Sequence, residues 1–343
     1  MKEKGLAALA RQAYEEGKRI VAPLMGFPGV ELTETNIKIA QQNFGEHFKV
    51  IRKLVETFSP DMVFPLMDLS VEANALGRFT IFPREETPTV YVKEKFQFED
   101  LEKIREIDVS FDTRLIGYVE TMKLMKLGLP PKIIRGAYVT GPFTLASLIM
   151  GAKDAVMSIL KNPAEFHDLC DFATKVIIEY ARLLITAGAE VICITDPTAV
   201  MLSPRQFRVW STPYVMRIRE ICKYNGVDTI YHICGNSMHL IDSILESGVG
   251  GLSLDSKYNG IQLSEVAKKV PENVVIIGNI SPTVVMAFGK SRDVRREVIE
   301  LLNEMKPYAN FILSTGCDLP QKTPLENISA FMDAARTYSL KHH

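Results

Sequence analysis

Eight short apolar runs rich in β-branched residues punctuate the chain, at residues 21–24, 62–66, 133–139, 191–195, 229–234, 251–255, 274–280 and 311–317. Each ends near Pro, Gly, Asp or Cys. Runs of this length bounded by turn formers predict buried strands. Between them lie stretches whose apolar positions recur every three or four residues, at 35–56, 163–187, 204–225, 238–247 and 291–305, and these predict amphipathic helices. Repeated strand-then-helix units imply a parallel sheet covered by helices. An open doubly wound sheet would carry a Gly-rich phosphate loop after an early strand. None is present: Gly248-Val249-Gly250 lacks the third glycine, and Gly289-Lys290-Ser291 has Val284 where a P-loop needs glycine. Eight strands favour closure, so the predicted fold is α/β, a TIM (β/α)8 barrel.

The length of 343 residues suits one such barrel. The expected organisation is a single domain over 1–343 with an N-terminal helical extension at 1–20. An insertion at the barrel mouth is expected over about 70–132, where Phe82-Pro83-Arg84-Glu85-Glu86-Thr87-Pro88 interrupts the regular spacing. A 47% apolar and 24% charged composition excludes a disordered chain. A formal charge of −1 offers no basic field for a phosphodiester backbone, so nucleic acid is not an expected partner. Five cysteines without a CxxC do not resemble a secreted disulfide framework, which favours a reducing compartment, the cytoplasm. No segment has the length of a signal peptide's apolar region or of a membrane span.

Polar and reactive residues gather at the predicted strand ends, where a barrel keeps its active site. The sharpest group is His232 with Cys234, two residues apart on one strand, and Cys317 at the end of another. Residues i and i+2 of a strand face the same way. The 82 residues between Cys234 and Cys317 are too many for a zinc finger but natural for ligands on different strands of one barrel. One His and two Cys suit zinc and leave a fourth position open to substrate. Cys170 and Cys222, in helical patterns, and Cys193, mid-strand, are expected to be structural. Thr140-Gly141-Pro142 opens a helix directly after a strand, so Thr140 and Gly141 are candidates for receiving an anionic substrate group at the helix N-terminus. Asp196, Asp255 and Asn279 stand at strand ends as cofactor-binding candidates, the two aspartates as partners that orient His232 or approach the metal. Asp68 and Glu72 are candidate substrate-binding residues and could supply a fourth carboxylate ligand.

The stretches Tyr231-His232-Ile233-Cys234-Gly235, Gly278-Asn279-Ile280-Ser281 and Ser314-Thr315-Gly316-Cys317-Asp318, with Thr323-Pro324-Leu325-Glu326-Asn327-Ile328, resemble the methylcobamide:coenzyme M methyltransferases. These belong to the uroporphyrinogen decarboxylase superfamily. Thr140-Gly141-Pro142-Phe143-Thr144-Leu145-Ala146, Ala187-Gly188-Ala189 and Thr195-Asp196-Pro197 extend the resemblance to about residues 60–338. It implies a TIM barrel, a zinc ion that binds a substrate thiol such as coenzyme M, and methyl exchange with a corrinoid on a partner protein. The chain has no Asp-x-His-x-x-Gly corrinoid motif of its own. Alternatives are a folate or a methyl donor in place of the thiol, a decarboxylase-type lyase, or a non-catalytic zinc protein that docks a corrinoid protein. The decarboxylase motif Arg-Gln-Ala-Gly-Arg has no counterpart in Leu24-Met25-Gly26-Phe27-Pro28-Gly29, and Arg11-Gln12-Ala13 precedes the first predicted strand.

Overall fold

The computed structural model describes residues 5–92 and 95–340. Residues 1–4 of the expected extension, 93–94 of the expected insertion and the terminal His342 and His343 lie outside the described residues. Seven parallel strands form one sheet: β1 (Met62–Val63), β4 (Ile134–Thr140), β5 (Val191–Thr195), β6 (Asp228–Ile233), β7 (Gly251–Leu254), β8 (Val275–Ile280) and β9 (Phe311–Thr315), neighbours in that order. A separate antiparallel hairpin is made by β2 (Thr80–Ile81) and β3 (Thr89–Val90).

The first predicted strand, 21–24, is not a regular strand. It is a single parallel bridge from Val21 to Leu313. Even so, its backbone joins the two sheet edges. Ala22 N–H donates to Leu313 O at 2.9 Å and Leu313 N–H to Ile20 O at 3.0 Å, while Asp61 N–H donates to Val21 O at 2.9 Å. The Asp61 carboxylate takes the remaining Val21 N–H at 2.8 Å. A side chain does the pairing that a longer β1 would have done, and Pro23, which lacks an N–H, limits any continuation.

Two cores follow from the alternation of side chains along each strand. Ile20, Ala22 and Leu24 join Met62, Phe64, Val191, Cys193, Val275, Ile277 and Ile312 in a cluster inside the barrel, separate from the larger strand-to-helix core. The helix Leu6–Glu15 contributes Leu6 and Ala10 to that inner cluster and is tied to the start of β6 by Leu6 N–H donating to Asp228 at 2.6 Å. It therefore plugs the end of the barrel opposite the strand C-termini.

The predicted helices hold with local breaks. Residues 163–187 form one helix, started by Pro163 and ended by Gly188 in the left-handed region at φ 119°. The expected 35–56 helix is two, Ile37–Gln42 and Phe44–Phe58, because Asn43 leaves helical geometry and caps the amides of Gly45 and Glu46. The 204–225 stretch breaks at Ser211, the second residue before Pro213. Residues 70–132 hold the hairpin together with the helices Val71–Ala75, Asp100–Arg105 and Thr113–Gly128. No single helix among the described residues is long and apolar enough to cross a membrane.

Candidate metal centre

Register sets the site. Thr140 pairs with Thr195, Thr195 with His232 and His232 with Ser253, so the strand ends stand level around the mouth. Two predicted strand ends are shorter than expected: Cys234 lies one residue past β6 and Cys317 two past β9. The chain turns away after each at a glycine. Gly235 has φ 80°. A Cβ on Gly316 would come within 2.7 Å of the Ser256 nitrogen, so glycine here allows a close backbone approach to the segment that follows β7.

His232, Cys234 and Cys317 nevertheless converge. Cys234 Sγ is 3.3 Å from His232 Nε2 and 3.3 Å from Cys317 Sγ, and Cys317 Sγ is 3.6 Å from His232 Nε2. Three ligands at tetrahedral corners, with Zn–S and Zn–N bonds of ~2.3 and ~2.0 Å, would stand ~3.8 Å apart for S···S and ~3.5 Å for S···N. The donor set and spacing fit zinc. They form the one group of three or more His, Cys, Asp or Glu ligand atoms within 4.8 Å of one another among the described residues.

His232 is buried, and Ser253 Oγ lies 2.9 Å from its Nδ1, which turns Nε2 toward the sulfurs. Burial would lower its pKa, but the Cys317 sulfur and the carboxyls of Asp255 and Asp318 outweigh it and hold the value above the ordinary one. Hydrogen bonding to Cys234 and burial push the Cys317 thiol well up, opposed by His232. Coordination to a metal ion would remove this proton. Cys170, Cys193 and Cys222 are buried and carry raised pKa values from burial, Cys222 at about 12.

Several sequence expectations are corrected. Asp196 does not orient His232. Its Oδ1 accepts the Thr144 N–H at 2.8 Å, and its Oδ2 accepts the Tyr231 and Ser211 hydroxyls at 2.8 and 3.2 Å. This carboxylate caps the helix Pro142–Met150, so the Thr140-Gly141 helix start is filled by the protein's own anion. Gly141 permits it, because a Cβ there would sit 2.2 Å from the Asp196 carboxyl carbon.

The amide and hydroxyl of Thr140 are taken by Glu72, at 2.7 and 2.9 Å. Asp68 pairs with Arg114 and accepts from Tyr118 at 3.0 Å and from Ser70 at 2.7 Å. Neither Asp68 nor Glu72 belongs to the metal-ligand group, so the expected fourth carboxylate ligand is not formed by them. Asp255 accepts the Gly235 N–H at 2.7 Å and the Ser256 N–H at 2.6 Å, acting on His232 through its charge and not by a hydrogen bond. Asn279 donates to the carbonyls of Asp255 and Ile261 at 2.8 and 3.0 Å, bracing the loop after β7.

Two residues escaped the sequence reading. Ser253 is one, although its place in the run 251–255 opposite His232 would have signalled it once the register was known. The other is Asp318, beside Cys317, whose two carboxylate oxygens are buried without a partner in hydrogen-bonding geometry. Burial pushes its carboxyl up to about 7, against the pull of nearby amides of Leu319, Gly26 and Met67 and of His232. Cys317 and Asp318 open into a cavity of about 480 Å³, walled by Phe27, Ile37, Met67, Leu69 and Leu319 and rimmed by Glu85–Pro88 of the β2–β3 connection.

The family profile described as uroporphyrinogen decarboxylase (URO-D) matches residues 31–338. The chain belongs to this family. Curated relatives carry two activities in their names. The methylcobamide:CoM methyltransferase MtbA of Methanosarcina acetivorans is 29% identical over 278 residues, 79% of this chain and 78% of its own. A uroporphyrinogen decarboxylase of Prochlorococcus marinus is 26% identical over 296 residues, 83% of this chain and 82% of its own. A solved methyltransferase from Methanosarcina mazei superposes with a TM-score of 0.84, covering 97% of this chain and 99% of that one, at 23% identity, which establishes the fold. The resemblance read from the strand-end motifs thus agrees with the family and with its methyltransferase branch.

Proposed function

We propose that the protein is a zinc-containing methyltransferase that moves a methyl group between a methyl-Co(III) corrinoid on a partner protein and a small substrate, a thiol. The observation that carries this reading is the convergence of His232 Nε2, Cys234 Sγ and Cys317 Sγ at the mouth of the barrel. These three residues would hold the zinc, which when bound lowers the pKa of a coordinated substrate thiol so that it is presented as the thiolate at neutral pH. Ser253 fixes the ring of His232, and Asp255 holds the turn at Gly235 that brings Cys234 into place. Two cysteines as ligands reduce the net positive charge of the centre, which keeps a bound sulfur nucleophilic.

The decarboxylase relatives supply the second reading. A polycarboxylate substrate needs cations to meet it, and the 24–29 segment, which carries Phe27 into the cavity wall, contains no arginine. The test combines metal and chemistry. Elemental analysis is expected to give one zinc per chain in the native protein and none in Cys317→Ala, with unchanged circular dichroism. The native protein, mixed with methyl-Co(III) corrinoid and a panel of thiols and folates, is expected to demethylate the cobalt with a thiol, and Cys317→Ala is not. Full zinc in Cys317→Ala, or identical cobalt spectra with and without the metal, refutes the proposal.

A further inference from the structure

The cavity beside Cys317 is larger and drier than a two-carbon thiol requires. We propose that it holds the body of the methyl acceptor or donor, that this body is an apolar chain or ring, and that Met67 and Leu69 set the preference for it over a short hydrophilic tail. This deepens the methyl-transfer reading of the same site and rests on it.

Position, size and lining agree. Cys317 is part of the cavity wall, so a substrate atom held among the three ligands has this space next to it. The volume of about 480 Å³ falls within the ~300–1,000 Å³ of pockets that enclose drug-sized ligands, and a two-carbon thiol would leave most of it to water. A cobamide is too large to enter it, which leaves the small substrate as its occupant. Phe27, Ile37 and Leu319 are buried behind its surface, and Met67 and Leu69, half-buried, line it. The polar residues of the wall are committed elsewhere. The Asp318 oxygens are buried, and the amides of Leu319, Gly26 and Met67 act on them. Gln321 donates from Nε2 to Glu31 at 2.7 Å, and its Oε1 is buried. Glu85, Glu86 and Thr87 stand exposed on the rim, where water solvates them. A hydroxyl carried past that rim gives up its water without a side-chain partner, whereas each methylene gains by leaving water.

Two measurements test this. The first needs neither metal nor methyl transfer. The full-length chain, reduced, stripped of metal by a chelator and checked by circular dichroism, is treated with methanethiosulfonate reagents that deliver a methyl, ethyl, propyl, butyl or 2-hydroxyethyl group. In each case the thiolate forms the new S–S bond and methanesulfinate leaves. Peptide mass spectrometry gives the rate at Cys317, which is divided by the rate of the same reagent with a free small thiol. The thiolate fraction is common to all reagents and cancels between them. Full burial is worth about fourfold per methylene, so butyl is expected to exceed methyl by about tenfold or more. Propyl should exceed its near-isostere 2-hydroxyethyl by about fivefold. Both ratios should fall toward one in Met67→Gln/Leu69→Asn, which keeps the side-chain volumes and adds polar atoms, and partway in Leu69→Asn alone. A series that is flat or falls from methyl to butyl, or a propyl rate no higher than that of 2-hydroxyethyl, overturns the proposal.

The second measurement uses zinc-loaded enzyme and methyl-Co(III) corrinoid with 2-mercaptoethanol, 1-propanethiol, 1-butanethiol and 2-phenylethanethiol. The expected order of kcat/KM rises along that series, and the rise is reduced in Leu69→Asn. A preference for 2-mercaptoethanol over 1-propanethiol overturns the proposal while leaving methyl transfer standing. If none of the four is methylated and the reagent series still rises, transfer to thiols fails and the apolar selectivity of the cavity stands.

Discussion

Glu72 makes the stability of the protein depend on pH, and the dependence is calculable. Its carboxyl is buried, and burial pushes its pKa up from 4.5 to about 7, opposed by the Thr140 hydrogen bonds and assisted by the charge of Asp68. Between those two values the folded protein holds a proton that the unfolded chain has released. Stability is therefore lost as pH rises through that window, whereas below pH 4.5 both states are protonated and the group contributes no pH dependence. At 1.36 kcal/mol per pH unit the full effect is about 3 kcal/mol, of which about 2 to 3 kcal/mol falls between pH 5 and pH 8. Glu72→Gln removes the titration while keeping the contacts. The amide oxygen accepts the Thr140 N–H, and the amide nitrogen donates to the Thr140 hydroxyl, whose own proton turns to the Leu69 carbonyl, 3.3 Å away. Urea unfolding of both proteins at pH 5 and pH 8 checks this, because every other titrating group cancels in the difference. The variant is expected to gain on the native protein as pH rises. A stability difference that stays constant from pH 5 to pH 8, or that moves against the variant, refutes the reasoning.

Ser253→Ala should weaken zinc binding by about 10- to 100-fold, measured by competition with a chelator, because His232 loses the partner that fixes its ring, 2.9 Å from Nδ1. Its thermal stability in the zinc-loaded form should change little. Asp196→Ala should do the reverse: the Thr144 amide and the Tyr231 and Ser211 hydroxyls lose their acceptor, which costs about 3 kcal/mol or more in unfolding free energy, with zinc content unchanged. Asp196→Asn should be milder, since its carbonyl keeps the helix cap and the two hydroxyls can accept from its amide nitrogen.

The strand-end positions of His232, Cys234 and Cys317 were legible because apolar runs mark strands and metal-binding residue types stand out against them. Alternation and run length also predicted seven of the sheet strands and the position of the eighth segment. What they could not convey is that this segment is held by a single bridge at Val21 and by the Asp61 carboxylate, since a side chain replacing a ladder bond leaves no periodic trace. Ser253 needed the register between β6 and β7, which follows from barrel stagger and not from either strand alone. The expectations for Thr140-Gly141 and for Asp196 each saw half of one contact. A helix N-terminus and a carboxylate were both correctly marked as electrostatically active, but they satisfy one another across neighbouring strands, and only three-dimensional adjacency reveals that.

That pairing is one of several that commit the acidic residues of the mouth to the scaffold. Asp68 is matched by Arg114, Tyr118 and Ser70, Glu72 by Thr140, Asp196 by a helix start and two hydroxyls, and Asp255 by two backbone amides. Each of these carboxylates spends its acceptors on the scaffold and holds a loop in place. Asp318, directly after Cys317, faces the backbone amides of Leu319, Gly26 and Met67 and not a side chain, and these oppose the rise in pKa that burial causes. These contacts with the scaffold therefore hold the strand ends that bring Cys234, Cys317 and His232 together.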